Sequence, residues 1–401
     1  MLTTAEATRA ILAAVRPFDT ETVALAESAG RVLRQSVVAE RDQPPFDRVM
    51  MDGIAVSYDA LANGTRTFRV QSRQDAGDPA QALEAGHCIE IMTGASLPEG
   101  ADCIIPVERI TVNEHGAHVE ANYEAVERQF IHARGSDHAK GTELLKPGTR
   151  VSPMDVAIIA SCGLAQVEVA KLPRVTVIST GNELVAAGKP IGDHQVRLSN
   201  GPAVIAMLAE HGFTDASDDH LVDEPEHLKD KIAEHLANSD VLILSGGVSM
   251  GKADYVPQVL GELGVEVTFH KISQRPGKPM WFGMGPDGQS VFALPGNPVS
   301  TLVCCRQYVI PALRHASGMQ AAAAPQFASL AQDVTFTPKL TNFLPVRLIS
   351  NAAGQVLAMP VHTNTSGDFA ALTGTDGYVE LALEQSEFKT GTVVPLHRWR
   401  L

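Results

Sequence analysis

The sequence is poor in cysteine, with Cys88, Cys103, Cys162, Cys304 and Cys305 as its five thiols in 401 residues. An odd number without C-x-x-C spacing argues against a disulfide framework and against a zinc site. The adjacent Cys304 and Cys305 lie in an apolar pattern with helical spacing. We therefore predict that the cysteines are small buried hydrophobic residues rather than redox groups.

The chain contains fewer basic than acidic residues, with 32 Lys and Arg and 46 Asp and Glu, and its net charge is −14. This excess disfavours broad binding to nucleic acid or to an anionic membrane. No run reaches the ~18 apolar residues of a membrane span, and residues 1–11 lack the basic region and apolar core of a secretory leader. The sequence predicts a cytoplasmic protein that holds anionic ligands through local groups of donors.

Hydrophobic residues make up 44% of the chain and charged residues 19%, which is typical of a folded protein with several cores. Thr3 and Glu6 fit a capping box, so a helix is predicted to open the chain. Residues 37–148 contain short β-rich runs between Gly, Pro and Asp turns, which indicates a β-rich domain. After a linker at 321–325, strand-like segments predict a small terminal β domain.

Strands and helices alternate between residues 174 and 314, and this pattern predicts parallel pairing with helices on both faces of one sheet. The predicted strands are 174–180, 240–244, 265–272 and 290–294, and the predicted helices are 202–211, 226–236, 256–263 and 299–314.

Four Gly-rich loops follow these strands, at residues 179–184, 245–251, 273–279 and 295–300. Ligands of open parallel sheets bind beyond the carboxyl ends of the strands, and glycine lets the backbone approach a phosphate. The loops predict a nucleotide-like or phosphorylated ligand. The Walker A pattern and a strand-linked G-x-G-x-x-G are missing, which disfavours a P-loop NTPase and an NAD site.

Charged residues accompany the loops. Lys271, Arg275 and Lys278 form a positive segment without an acid, which is suited to an oxyanion, although a solvated basic turn is the alternative. Three acids lie in or near the same loops, and they fit a phosphate site if Mg²⁺ lies between them, although each also fits a cap or turn: Glu183, Asp223 and Asp254.

Seven motifs, taken together, resemble the molybdopterin molybdenumtransferase family, known as MoeA in bacteria and as the E domain of gephyrin in animals. They are FDRVMMDGIAV (46–56), IMTGASLPEGAD (91–102), RGSD (134–137), STGNEL (179–184), SGGVSMGKADY (245–255), RPGKP (275–279) and LPGNPVS (294–300). The resemblance runs over nearly the whole chain.

The resemblance implies a multidomain α/β plus β fold. It comprises a helical linking domain (1–20 with 38–46 and 138–173), an inserted β-rich domain (21–37 with 47–137), an α/β molybdopterin-binding domain with a parallel-rich sheet (174–318) and a C-terminal β domain (319–401). It also implies a homodimer whose cleft joins the α/β domain of one subunit to the β-rich domain of the other.

The implied activity is insertion of molybdate into adenylylated molybdopterin, with Mg²⁺-assisted cleavage of the pyrophosphate and release of AMP. Contacts with the molybdopterin adenylyltransferase and with recipient molybdoenzymes are also implied. Two alternatives stay open: a non-catalytic molybdopterin-binding or scaffold protein, and the adenylyltransferase itself. The acids count against the scaffold, and the additional β domains count against the adenylyltransferase.

The loops and the resemblance together predict the site residues. The catalytic set is Asp137, Glu183, Asp223, Asp254, Lys271 and Arg275, with Glu183 and Asp254 as metal ligands. The substrate-binding set is Asp52, Thr93, Ser179, Thr180, Ser245, Gly246, Gly247, Ser249, Pro276, Gly277, Lys278, Pro295, Gly296, Asn297, Arg347 and Ser366. Arg275 stands where many relatives have Lys, and Asn182 replaces a common Asp.

Overall fold

The computed structural model describes residues 1–247, 255–320 and 325–400. These residues form two compact units. The first contains Met1–Gln35, Pro147–Ser152 and Gln166–Leu401, and the second contains Ser36–Lys146 and Pro153–Ala165. The four-domain division stays a prediction.

Helices lie in both units, and the predicted helices form with small shifts at their ends. They are α1 (Thr4–Ala14), α2 (Tyr58–Ala62), α3 (Pro153–Ser161), α4 (Asn200–Glu210), α5 (Pro225–Asn238), α6 (Val256–Glu262), α7 (Pro298–Cys304) and α8 (Ile310–Ala316). The single helix predicted for 299–314 is wrong in one respect, because π-helical turns at Cys305–Val309 separate α7 from α8. Pro311 follows these turns, and it has no N–H to donate to the preceding turn.

The strands are mostly short. They are β1 (Thr20–Ala24), β2 (Val37–Val38), β3 (Arg48–Val49), β4 (Gly53–Val56), β5 (Thr67–Gln74), β6 (His87–Ile91), β7 (Cys103–Pro106), β8 (Ile110–Asn113), β9 (Gly116–Val119), β10 (Ile131–His132), β11 (Glu143–Leu145), β12 (Gln166–Ala170), β13 (Val175–Thr180), β14 (Leu184–Val185), β15 (Val196–Arg197), β16 (Ala216–Leu221), β17 (Val241–Ser245), β18 (Glu266–His270), β19 (Gln274–Arg275), β20 (Trp281–Met284), β21 (Ser290–Leu294), β22 (Gln326–Leu330), β23 (Val334–Thr335), β24 (Thr341–Ser350), β25 (Val356–Pro360), β26 (Gly377–Leu381), β27 (Glu387–Phe388) and β28 (Val393–Arg398).

The central sheet of the first unit has the order β16-β13-β17-β21-β20-β18. β16, β13, β17 and β21 are parallel, as predicted. β20, a strand that was not predicted, is antiparallel to both of its neighbours, so the sheet is parallel-rich rather than wholly parallel. Only the short 285–289 turn joins β20 to β21, and parallel strands need a much longer crossover.

Helices cover both faces of this sheet, which confirms the predicted layering. Along β17, Val241 and Ile243 belong to one core, and Leu242 and Leu244 belong to the other. Helix α1 contributes Ala7 and Ile11 to the first core, and its predicted capping box is present, with the Glu6 N–H donating to Thr3 Oγ1 at 3.2 Å. The five cysteines are free and buried, which confirms their predicted place as small hydrophobic residues.

The terminal β domain is a small barrel. Strands β24, β25, β22, β28 and β26 pair in turn, and β26 pairs again with β24. Its core contains Leu330, Val346, Val379 and Leu381. β19, which follows β18 of the central sheet, extends the barrel by pairing with β24.

The second unit is β-rich, as predicted, and its sheet has the order β7-β4-β6-β5-β9-β8. Gly53 opens β4, where a Cβ atom would lie 1.9 Å from the Ile105 carbonyl oxygen. Only glycine fits this crossing of β4 and β7. Within residues 1–247, 255–320 and 325–400, every helix falls short of the length and apolar character that a membrane span requires.

Candidate active site

A cavity of about 740 Å³ opens where the parallel strands of the central sheet end, at their carboxyl termini. This size lies within the range of about 300–1,000 Å³ that is common for small-molecule sites. We call it the edge pocket. Ten of the predicted site residues line it: Ser179, Thr180, Glu183, Asp223, Ser245, Gly246, Gly247, Pro295, Gly296 and Asn297.

Two buried hydroxyl groups at the end of β13 lack a hydrogen-bond partner among the described residues. Ser179 and Thr180 are 2% and 5% exposed, and their side-chain oxygens have no hydrogen-bond partner within the described ranges. A buried polar atom without a partner costs about 1–3 kcal/mol. Both residues line the edge pocket, so a ligand with acceptor oxygens would satisfy them.

The loop after β17 lies close against the same strand end. Gly246 and Gly247 have φ values of +99° and +66°. A Cβ atom on Gly246 would lie 2.7 Å from the Thr180 carbonyl oxygen and 3.0 Å from its hydroxyl. Glycine is required because both the backbone conformation and the space exclude a side chain.

Two carboxylates line the edge pocket. Glu183 folds over Gly181, where a Cβ atom would lie 2.6 Å from Glu183 Oε2. The backbone N–H of Asp223 donates to Asn182 Oδ1 at 3.0 Å. Sequence reasoning treated Asn182 only as a departure from the family pattern, whereas the structure shows that its amide positions Asp223.

Asn200, at the start of α4, ties two pocket loops together, and sequence reasoning missed it. Its Nδ2 donates to Ser245 Oγ at 2.9 Å and to the Gly296 carbonyl at 2.7 Å. An Asn at a helix start is ordinary, so the sequence carried no signal for this contact. Arg197, also missed, lines the pocket and donates to the carbonyls of Ala186 and Lys189 at 3.0 and 2.7 Å.

Asn200→Ala is expected to weaken ligand binding in the edge pocket about 10-fold, because two loops lose their common donor. Isothermal titration calorimetry of the ligand into the protein measures the affinity. Asn238→Ala is the matched control, since the Asn238 side chain donates to the Glu234 carbonyl within α5, away from the edge pocket. Equal losses in the two variants would contradict a role for Asn200 in the pocket.

The terminal barrel also reaches the edge pocket. Asn297 Nδ2 donates to Ser366 Oγ at 2.8 Å, and the Val299 N–H donates to the Ser366 carbonyl at 3.0 Å. Gly367 and Phe369 line the pocket, and neither was predicted. The predicted Arg347 lies on β24 as an exposed residue and is not among the described residues of the pocket wall.

The basic segment is built into the junction of sheet and barrel. The Lys271 N–H donates to the Met280 carbonyl at 2.8 Å, and Arg275 pairs through β19 with Asn342. The Arg275 guanidinium lies 5.9 Å from the centre of the Phe336 ring. Of the described residues 273–279, Pro279 is the one that lines the edge pocket, so Lys271, Arg275, Pro276, Gly277 and Lys278 are not brought onto its wall.

Buried hydrogen bonds of Gln274 and Tyr308 hold the basic segment in place. Gln274 Nε2 donates to the Pro276 carbonyl at 2.9 Å, and Gln274 Oε1 accepts from the Tyr308 hydroxyl. Gly277 lies where a Cβ atom would be 2.4 Å from Cys304 Sγ. The π-helical turns therefore support the basic segment through Tyr308.

Tyr308→Phe is expected to lower the free energy of unfolding by about 1–3 kcal/mol, because Gln274 Oε1 loses its donor in a buried place. Chemical denaturation of the full chain measures the loss. Tyr123→Phe is the comparison, since Tyr123 is only half-buried. An unchanged unfolding midpoint for Tyr308→Phe would show that the bond does not stabilise the segment.

The predicted residues of the second unit form two local contacts. Asp52 Oδ1 accepts from both the N–H and the hydroxyl of Thr93 at 2.7 Å, and these bonds hold the pKa of Asp52 below its usual value. Asp137 Oδ1 lies 2.9 Å from His132 Nε2. The predicted Ser249 and Asp254 lie outside the described residues.

Three family models match the chain: MoeA N-terminal region (domain I and II) over residues 2–163, "probable molybdopterin binding domain" over 176–315, and MoeA C-terminal region (domain IV) over 328–399. The chain is 36% identical over 401 residues to a molybdopterin molybdenumtransferase of Synechocystis, covering 100% of both chains. It is 31% identical to one of Staphylococcus aureus, covering 94% of this chain and 90% of the relative. The structure resembles that of a molybdopterin biosynthesis MoeA protein from Pyrococcus horikosii, with a TM-score of 0.85, 28% identity and 100% coverage of both chains.

Proposed function

The chain belongs to the molybdopterin molybdenumtransferase family, and from this membership we propose that it inserts molybdate into adenylylated molybdopterin and releases AMP. The reaction is a step of molybdenum cofactor biosynthesis. The observation that carries the proposal is the edge pocket, where glycine loops and two unpartnered hydroxyls meet at the carboxyl ends of three parallel strands. Such an edge suits a ligand with a pyrophosphate.

The pocket residues would hold the pyrophosphate of the substrate. The backbone of Gly246 and Gly247 can approach phosphate oxygens because no side chain intervenes. The hydroxyls of Ser179 and Thr180, at the neighbouring end of β13, supply further donors. Donors fixed in place before the reaction stabilise the charge that develops when a phosphate bond breaks.

Magnesium fits the donor chemistry of the pocket. Mg²⁺ commonly takes one or two carboxylates together with substrate phosphates and waters. Glu183 would hold it together with Asp254, and Asp223 is a further carboxylate on the pocket wall. When bound, the ion neutralises phosphate charge. No group of three or more His, Cys, Asp or Glu suited to a metal occurs in the described part of the chain, and the proposed ligand Asp254 lies outside it.

Molybdate, as the second substrate, would bind at the basic segment. Lys271, Arg275 and Lys278 supply positive charge in a chain of net charge −14. The segment continues into Pro279 of the pocket wall, so an oxyanion held there would lie beside the pocket. Arginine offers a fork of donors that matches two oxygens of such an anion.

The scaffold alternative is less favoured because a scaffold has no need of two carboxylates in a phosphate-binding pocket. The decisive experiment mixes the purified chain with adenylylated molybdopterin, molybdate and Mg²⁺ and follows AMP by chromatography. We expect AMP release that depends on molybdate. Tight substrate binding without any AMP release would instead identify a binding protein.

We also propose that the enzyme is a homodimer in which Asp52, Thr93 and Asp137 complete the partner subunit's cleft. Mixing inactive Asp52→Ala and Glu183→Gln chains is then expected to restore activity to about a quarter of the sites, since random exchange makes half of the dimers mixed. AMP release after verified subunit exchange measures the recovery. No recovery would show that each cleft is built from one chain.

A further inference from the structure

A second, much smaller cavity of about 20 Å³ lies inside the first unit, and it shares no lining residue with the edge pocket. We call it the arginine cavity. A space of this size holds about one water-sized body. Among the described residues, the cavity is lined by the segment before β2, by Arg150, and by residues at the ends of β12, α4 and α8.

Three arginines line the arginine cavity: Arg31, Arg150 and Arg314. None of the described residues on its wall is Asp or Glu. Arg31 is paired with Glu21, whereas Arg150 and Arg314 form no ion pair with a carboxylate of the described chain. Positive charge therefore exceeds negative charge here, although the chain as a whole carries −14.

The structure holds the arginines in place through neutral acceptors. Arg150 Nε donates to the Gly30 carbonyl at 3.3 Å, and Arg31 Nη2 donates to the Ala170 carbonyl at 2.7 Å. Arg314 Nη2 lies 3.0 Å from His211 Nδ1. Arg31 Nε is buried and has no hydrogen-bond partner among the described residues. Because Arg31 lines the cavity, an acceptor bound there could satisfy this donor.

Two glycines make room for Arg150. A Cβ atom on Gly212 would lie 3.6 Å from Arg150 Nη2, and one on Gly30 would lie 3.8 Å from it. Both glycines have positive φ, at +92° and +81°. The backbone on either side of the guanidinium is therefore shaped around it.

The electrostatics agree with this geometry. Burial, followed by the charges of Arg306 and Arg150, lowers the pKa of Arg314 to about 10. Burial, followed by the charge of Arg314, lowers the pKa of His211 to about 4, so this ring is neutral at pH 7 and accepts from Arg314. Burial and mutual repulsion both disfavour the charged forms of these side chains, and a bound anion would offset that cost.

We propose that the arginine cavity binds a monatomic anion of the size of chloride as a structural ion. A space of about 20 Å³ favours a single atom over a five-atom oxyanion such as sulfate, phosphate or molybdate, so the expected ligand differs from that of the edge pocket. The ion would join the segment around Arg31, the residue Arg150 and the carboxyl end of α8. Its role is to stabilise the first unit.

Thermal unfolding of the full chain tests the proposal. Sodium chloride replaces sodium gluconate from zero to 100 mM at constant ionic strength, and sodium bromide and sodium sulfate are compared. We expect chloride and bromide to raise the unfolding midpoint by about 2–4 °C and then to saturate. Sulfate should give no saturable rise, because it stabilises proteins by exclusion from their surface.

Arg314→Met should lose the saturable halide response, and Arg9→Met, a substitution at an exposed site on α1, should keep it. Bromide soaked into crystals of the unchanged protein provides a test that does not depend on variant folding, with an anomalous peak expected between Arg31, Arg150 and Arg314. A halide response equal to that of sulfate, its persistence in Arg314→Met, or a bromide-free cavity would overturn the proposal.

Discussion

Replacing Glu183 by Gln is expected to slow AMP release at least ~100-fold, about 2.7 kcal/mol of transition-state stabilisation, while the unfolding midpoint stays within about 1 °C. The substitution keeps the size of the side chain and removes the charge that would hold Mg²⁺ beside the pyrophosphate. Glu183 is exposed on the pocket wall, so its charge contributes little to stability. Stopped reactions analysed for AMP at saturating substrate give the rate.

Glu266→Gln is the control for this substitution. Glu266 is an exposed residue at the first position of β18. It lies at the end of the sheet where the parallel strands begin, whereas the edge pocket lies where they end. The substitution should leave the rate unchanged. A Glu183→Gln chain that works at the wild-type rate at low and high Mg²⁺ alike would show that the carboxylate does not hold the metal, whereas recovery at raised Mg²⁺ alone is the result expected of a weakened metal ligand.

Gly246→Ala is expected to weaken binding of adenylylated molybdopterin at least ~30-fold, or about 2 kcal/mol. The new methyl group would lie 2.7 Å from the Thr180 carbonyl oxygen, so the loop must move away from the strand end. That movement separates the backbone of 246–247 from the hydroxyls of Ser179 and Thr180. Isothermal titration calorimetry with the substrate gives the dissociation constant.

Gly188→Ala is the control that distinguishes the effect of backbone strain from the effect of a steric clash in Gly246→Ala. Gly188 also has a positive φ, at +80°, but a Cβ atom there would meet nothing within 4 Å. This control carries a conformational cost of about 1–2 kcal/mol without obstructing any neighbour. We expect its affinity to stay near that of the wild type. Similar losses in both variants would mean that strain, rather than the fit between loop and strand, explains the result.

Local patterns predicted much of the fold correctly. The capping box at Thr3, the alternation of strands and helices, and the two β-rich regions each depend on residues close in sequence. β16 was missed because its sequence, ASDDHL, is too polar for the pattern of a buried strand, and it lies at the edge of the sheet. The direction of β20 depends on the length of a turn, which the apolar pattern does not report.

The candidate site was predictable where glycine and hydroxyl residues follow a strand. Its remaining parts depend on contacts between distant segments. Asn200 reaches Ser245 and Gly296 across the sheet edge, and Phe369 enters the pocket wall from the barrel. Neither contact follows from local sequence, because both require the tertiary arrangement. The basic segment is evident from its charge pattern, but the sequence does not show that most of it lies off the wall of the edge pocket, and its role in binding stays a prediction.

The most direct test of the account is a crystal structure of the Glu183→Gln chain with adenylylated molybdopterin, since this variant should bind the substrate and turn it over slowly. We predict ligand density in the edge pocket, with pyrophosphate oxygens within hydrogen-bond distance of the Ser179 and Thr180 hydroxyls and of the backbone at Gly246. Clear density for the substrate at another place on the chain, with the edge pocket empty, would contradict the account.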